Sequence, residues 1–211
     1  MDDQDDTMPR QARFTKEMIC GVAIDIIREE GSAALSSRNI CSKMGCSVSP
    51  IFREYANMDE LAADVRRAVE LRFGEYMAGV TDFEPAFKEM AVRMVRFSRD
   101  EPNLFHFLFL ESRGRDGVAD DIARACLRQT ERSFNLAPEQ AEFIYFQLWP
   151  FLCGITLLCN KDPEVYSDSY ISRLLSVQFQ ALLMLLKSGR KVVDVEPEPV
   201  GRPRQESKNE V

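Results

Sequence analysis

One period governs the chain. Apolar residues return every three or four positions from Met18 to Leu186, beginning with Met18, Ile19, Val22, Ala23, Ile26 and Ile27. That spacing lines one face of an α-helix, whereas a half-buried strand needs alternation in steps of two. No convincing strand alternation and no internal repeat interrupts it, so the chain is read as all-α. Punctuation residues cut the period into about nine helices. Thr15 is expected to cap the first, which ends at Glu30-Gly31. Ser36-Ser37 caps a short second one to about Met44, where Gly45 breaks it. Ser47 is expected to open a third, to about Tyr55, and Asn57 to cap a fourth. Further helices are expected at about 84–100, from Pro102, at about 118–134, from Pro138 to about Cys159, and at about 167–187. Residues 114–117 and Asp162-Pro163 read as connections.

Composition sets limits on this reading. With 211 residues, 45% hydrophobic and 29% charged, the chain can bury a core without disulfides or metals. Its net charge of −7 argues against indiscriminate coating of nucleic acid. No run reaches the roughly 18 consecutive apolar residues of a membrane helix. The acidic first residues lack the apolar stretch of a signal peptide, so a cytoplasmic location without membrane contact is expected. The six cysteines include no CxxC pair, and His106 is the single histidine. That inventory builds no zinc site of ordinary spacing. The thiols read as reduced and mostly buried, with a redox-sensing pair as the lesser alternative. No nucleophile elbow, phosphate loop or metal motif is present, so neither an enzyme nor a cofactor is expected.

The stretch from Met18 to Leu61 carries the functional signal. An apolar helix leads to Leu35-Ser36-Ser37-Arg38-Asn39-Ile40, then Met44-Gly45-Cys46-Ser47-Val48-Ser49-Pro50-Ile51-Phe52-Arg53-Glu54-Tyr55. Two short helices around a glycine turn, wedged by Ile40, Met44, Cys46 and Ile51, make a helix-turn-helix. Its second helix would offer Val48, Ser49, Pro50 and Arg53 to a major groove, with Arg38 at a phosphate. Arg10, Arg13 and Lys16 form a basic arm suited to phosphates or a minor groove. Between Met8 and Tyr55 seven Lys/Arg face five acids, a net of +2 on an acidic protein.

This stretch resembles the DNA-binding domain of the tetracycline-repressor (TetR) family. The match runs through Gly31, Ser36-Ser37, Ile40, Gly45, Ser47, Ile51-Phe52, Tyr55 and Asp59-Glu60-Leu61. A second match, Val95-Arg96-Phe97-Ser98, Glu101-Pro102-Asn103-Leu104-Phe105 and Trp149-Pro150-Phe151-Leu152-Cys153-Gly154, is similar to members with a Trp-His-Gly type ligand domain. Cys153 stands at the histidine position there. The resemblance implies a DNA head at 13–60, a helical ligand-binding and dimerisation body at 61–188, and flanking disordered segments at 1–12 and 189–211. It adds Ser36, Ser37, Ser47, Phe52 and Tyr55 to the DNA-contacting set. It departs from the family at Val48, Phe52, Glu54 and Met58, where phosphate-binding side chains are usual.

In the body, Phe73, Tyr76, Met94, Phe97, Phe105, Phe109, Trp149 and Cys153 are the expected lining of a pocket for a small apolar or amphipathic ligand. His106, among apolar neighbours, reads as a hydrogen-bonded structural residue, and Pro150 as a bend inside its helix. The last two helices are apolar over arcs too wide for one partner, which points to a homodimer through them. The expected protein is a dimeric repressor whose grip on a double-stranded DNA operator responds to that ligand. The alternative is a small-molecule-binding helical protein with a degenerate DNA head.

Overall fold

Short polar side chains decide where the first helices start. The computed structural model describes residues 14–111, 118–162 and 164–188. Thr15 Oγ1 accepts from the Met18 N–H at 3.3 Å and opens α1 (Lys16–Glu30). Gly31, at φ +85°, turns the chain out of it. Ser36 Oγ accepts from the Asn39 N–H at 3.2 Å and opens α2 (Ser37–Met44). Gly45 then takes a left-handed conformation, φ +64°, that a side chain would resist. The N–H groups of Gly45 and Cys46 both return to the Cys41 carbonyl and cap the helix end.

The third helix departs from expectation. α3 (Ser49–Glu54) begins two residues after Ser47, with Val48 in the capping position and no side-chain cap. Pro50 fits the first turn, where an N–H has no helical partner anyway. Ser47 contributes its carbonyl instead, which accepts from Cys41 Sγ at 3.2 Å. Asn57 behaves as expected: its Oδ1 accepts from the Glu60 N–H at 2.9 Å and starts α4 (Met58–Tyr76).

The chain continues through α5 (Ala86–Asp100), α6 (Pro102–Phe109), α7 (Val118–Phe134), α8 (Pro138–Lys161) and α9 (Asp168–Lys187). The described residues are all-α, with nine α-helices, two short 3₁₀ turns and no strand. α5 starts at Ala86 rather than Glu84 because Pro85 holds the extended position before it. α8 runs through Pro150, which faces outward, and reaches Lys161 rather than Cys159. Arg10, Arg13, the arm at 1–12, the connection at 114–117, Pro163 and the tail at 189–211 lie outside the described residues.

α1 joins the helix-turn-helix to the rest of one core. Ile19, Ala23, Ile26 and Ile27 are buried to 1% exposure or less. The helix packs against α2 and α3 on one side and against α4 and α6 on the other. Burying four such side chains stabilises the joint by several kcal/mol, at about 1.5–3 kcal/mol for each large aliphatic one. A polar clasp sits beside this apolar seam. Glu101, between α5 and α6, is 14% exposed. Its carboxylate accepts from Arg28 Nε of α1 at 2.9 Å and from Arg72 Nη2 of α4 at 3.0 Å. Asn103 donates to the Arg28 carbonyl at 2.9 Å. Arg66 of α4 donates to the carbonyls of Phe107 and Leu108 at 3.1 and 2.7 Å, satisfying acceptors that the end of α6 leaves open.

α5, α7, α8 and α9 pack together as the rest of the body. By length and composition alone α8 and α9 would also pass for membrane-crossing helices. Their inner faces, however, are part of the same buried cluster as α1, α4 and α5.

The clasp should be worth measuring by its removal. Glu101→Ala leaves two guanidinium groups without their shared carboxylate. It is expected to destabilise the protein by about 2 kcal/mol, read as a lower urea midpoint with little change in the slope.

Candidate DNA-contacting head and ligand-binding body

In the head, the two short helices present one outward face. Ser47, Val48, Ser49, Phe52 and Arg53 are exposed around the start of α3, and Pro50 is half-buried among them. Val48 and Phe52 are 47% and 48% exposed. Their neighbour Ile51 points inward and is fully buried. Arg38 stands exposed near the start of α2, beside the half-buried Ser37. Ser36 commits its hydroxyl to capping α2.

The expected cations are mostly engaged. Lys16 Nζ lies 3.3 Å from Glu60 and 3.7 Å from Asp64, and over the Tyr55 ring at 4.6 Å. Lys43 pairs with Glu29 at 2.5 Å. Arg53 pairs with Glu54 at 3.1 Å and also donates to the Phe14 carbonyl at 3.4 Å. Arg28 serves the clasp. Among the described residues of the head, Arg38 is the cation with no ion-pair partner. Surface pairs of this kind are worth at most about 1 kcal/mol, so a phosphate can displace them.

Tyr55 corrects one expectation. It is 1% exposed, so its side chain cannot reach a duplex. Its hydroxyl contacts Asp64 Oδ2 at 3.1 Å and the Lys16 carbonyl at 3.3 Å, tying the end of α3 to α4 and α1. Burial, with the Asp64 hydrogen bond, pushes the phenol well above its ordinary range and keeps it protonated. Met58, at a position where the family usually has lysine, packs partly buried against the core.

In the body, the expected lining residues do come together, as a ring cluster. Phe73 meets Phe97 and Phe109 edge-on at 5.1 Å each, Tyr76 meets Phe97 at 5.4 Å, and Phe105 meets Phe109 at 5.0 Å. Phe109 reaches Trp149 at 6.0 Å, and Trp149 reaches Tyr145 at 5.8 Å. Met94 is 1% exposed in the same core, and Cys153 is half-buried on α8. The rings therefore fill space with one another. Tyr76 donates to Asp100 at 2.9 Å, and burial followed by that bond pushes its phenol up to about 12.

A cavity of about 230 Å³ lies elsewhere, between α5, α7 and α9. It is lined by Phe87, Lys88, Phe134, Leu175, Phe179 and Leu183 among others. These residues were missed at the sequence level because their partners are far apart along the chain. One signal was present: Lys88 puts a cation in the first turn of α5, where acids are favoured. His106 is hydrogen-bonded, as read, but exposed rather than set among apolar neighbours: its Nδ1 lies 2.8 Å from Glu111, which also accepts from Ser32 at 2.5 Å.

Among the described residues, no group of three or more acidic, Cys or His side chains is placed to hold a metal. All six cysteines are free. Burial pushes the thiols of Cys20, Cys41, Cys153 and Cys159 up, and that of Cys126 to about 11. Such thiols stay protonated and react slowly at neutral pH.

No family model matches the sequence, and no curated protein matches it. The architecture itself, a helix-turn-helix head on a helical body, does recur among solved structures. A candidate transcriptional regulator from Pseudomonas aeruginosa PAO1 is 19% identical, over 86% of this chain and 96% of that one, at a TM-score of 0.61. A TetR-family member from Streptomyces coelicolor is 19% identical, over 77% and 96%, at 0.56. The Streptomyces coelicolor TetR-family protein ActR, solved with (S)-DNPA, is 19% identical, over 81% and 98%, at 0.53. The chain therefore has the all-α fold of TetR-family transcriptional regulators.

If Tyr55 is a strut, Tyr55→Phe should lower stability by about 1 kcal/mol for the lost hydrogen bonds. DNA affinity of the folded variant should not change. A thermal melt and a titration with duplex check the two halves separately.

Proposed function

We propose that the chain is a dimeric, DNA-binding transcriptional regulator of the TetR type. The body is inferred to bind a small molecule that changes the grip of the head on its operator. A repressor is the reading adopted, acting in the cytoplasm. The observation that carries it is the outward face of α3. Val48, Ser49, Phe52 and Arg53 are exposed there, the two apolar side chains serving no core, and Arg38 is exposed and unpaired on α2. Val48 and Phe52 suit contact with thymine methyl groups, and Arg53 suits a guanine edge or phosphate once it leaves Glu54. Arg38 and the first turn of α2 suit a backbone phosphate. With so few free cations, affinity would rest on shape and apolar contact more than in strongly basic heads.

Paired heads need a two-fold. On α9, Tyr170, Val177 and Met184 are 37%, 61% and 71% exposed at intervals of seven, and α8 adds Phe146 and Leu157 at 39% and 51%. These two neighbouring faces support a second copy of the chain as the partner. The solved ActR complex is of a TetR-family protein with a bound small molecule, which supports a ligand in the body here. The ring cluster around Phe109 would have to part to admit one.

Two experiments test this reading. Selection from random duplexes at two salt concentrations should enrich a palindrome. Arg53→Ala should relax its sequence, whereas Arg38→Ala should weaken all sites alike and lower the salt slope by about one for each head. No enrichment at low salt would favour the degenerate-head alternative. Separately, Val177→Glu with Met184→Glu should give a monomer of unchanged helicity by light scattering and circular dichroism, with the palindrome no longer bound. A double variant that remains dimeric would refute the α8–α9 interface.

A further inference from the structure

The cavity between α5, α7 and α9 differs from the ring cluster in one respect: it pairs an apolar interior with an unanswered charge. Phe87, Phe134, Leu175, Phe179 and Leu183 form its walls, with Phe134 and Phe179 edge-on at 4.9 Å. Lys88 is the charged residue of the lining and is half-buried. Among the described residues its ammonium has no ion pair and no hydrogen bond. The acids closest to it in sequence are engaged elsewhere. Glu84 accepts from Ser133 at 2.7 Å, and Glu89 holds Arg93 at 2.8 Å.

The position makes the charge harder to explain as a solvated surface group. Lys88 lies in the first turn of α5, where the helix dipole already presents positive potential. A cation there lies at the end of the helix where an anion is favoured, and an anion bound beside it would answer both charges. Local rules of this kind are broken most often where a site requires it. The volume, about 230 Å³, lies just under the roughly 300–1,000 Å³ of drug-sized sites and suits a small molecule.

We propose that this cavity binds a small amphipathic carboxylate, its apolar tail against the rings and leucines and its carboxylate on Lys88. Gln180, at the same opening, supplies a further donor. This deepens the ligand-binding part of the function proposed above and rests on it, but it does not depend on DNA binding. It also names a route to regulation. Leu175, Phe179 and Leu183 lie on α9, whose other face carries Val177 and Met184, so an occupant presses on the helix that holds the dimer.

The probe pair is decanoate and decanol, titrated calorimetrically below their aggregation concentrations into the full-length protein, Lys88→Met and Leu183→Trp. Folding is checked by circular dichroism. Decanoate should bind the wild type once per chain. Lys88→Met should weaken decanoate at least tenfold and leave decanol unchanged, and Lys88→Arg should restore most of the loss. Leu183→Trp, filling the cavity, should weaken both; should it fail to fold, the Lys88 variants decide alone. No saturable decanoate binding, or equal affinity in wild type and Lys88→Met, overturns the proposal. An enriched palindrome with no decanoate binding would overturn this site and spare the regulator. Decanoate binding with no palindrome would do the reverse.

Discussion

The rest of the structure depends on a single helix being buried from two sides. α1 contributes Ile19, Ala23, Ile26 and Ile27 to a seam shared by the helix-turn-helix and the body. Because the helix is rigid over its fifteen residues, the head cannot shift without moving against α4 and α6. The polar bonds beside the seam add direction to this constraint. Glu101 and Asn103 bracket the start of α6 and hold Arg28 of α1. Arg66 holds the other end of α6 from α4. An apolar seam alone permits sliding, since dispersion has little directionality. Charge-assisted bonds at fixed angles resist it. Any rearrangement in the body that tilts α6 therefore reaches the head through α1.

The electrostatics of the head follow from the same economy. If the proposed regulator is to approach DNA, an acidic chain has to localise positive charge, and here the localisation is slight. Lys16, Lys43 and Arg53 are held by Glu60, Glu29 and Glu54 in exposed pairs. Exposed pairs exchange easily, so these cations act as a reserve that phosphate can recruit at small cost. The apolar exposure of Val48 and Phe52 weighs the opposite way. It disfavours the free state in water and favours a groove lined by methyl groups. For the proposed regulator, such a surface would favour specificity by shape and methyl contact with modest salt dependence.

Much of this was legible in the sequence. The helical period, the caps at Thr15, Ser36 and Asn57, and the turn at Gly45 each follow from a local rule, and local rules survive folding. What depended on three-dimensional neighbours was less legible. Ser47 resembled a cap, but Pro50 shifts the helix start and leaves Ser47 its carbonyl to use. Tyr55 resembled a DNA contact, yet the turn into α4 buries it against Asp64. His106 lies among apolar residues along the chain and faces outward on the helix, because neighbours in sequence occupy different faces. The aromatics of the body suit the core and the walls of a pocket alike. An aromatic wall and an aromatic core have the same composition, and only coordinates show that Phe73, Phe97 and Phe109 touch one another. The cavity was hidden for the converse reason: Lys88, Phe134 and Phe179 are separated by dozens of residues.

α9 shows why composition misleads in the body. Its residues are apolar around most of the circumference, and by that measure the helix would suit a bilayer. Its first residue, Asp168, holds Arg96 at 2.7 Å and Arg99 at 3.0 Å on α5, and these bonds fix its register against the bundle. One face, with Ile171 and Leu175, is buried in the core, while Val177 and Met184 face outward. A helix with demands on both sides has to be apolar on both, whatever its solvent. An inner face that closes a cavity and an outer face that the proposed dimer would cover meet that demand with one element, so contacts on either side bias the same helix.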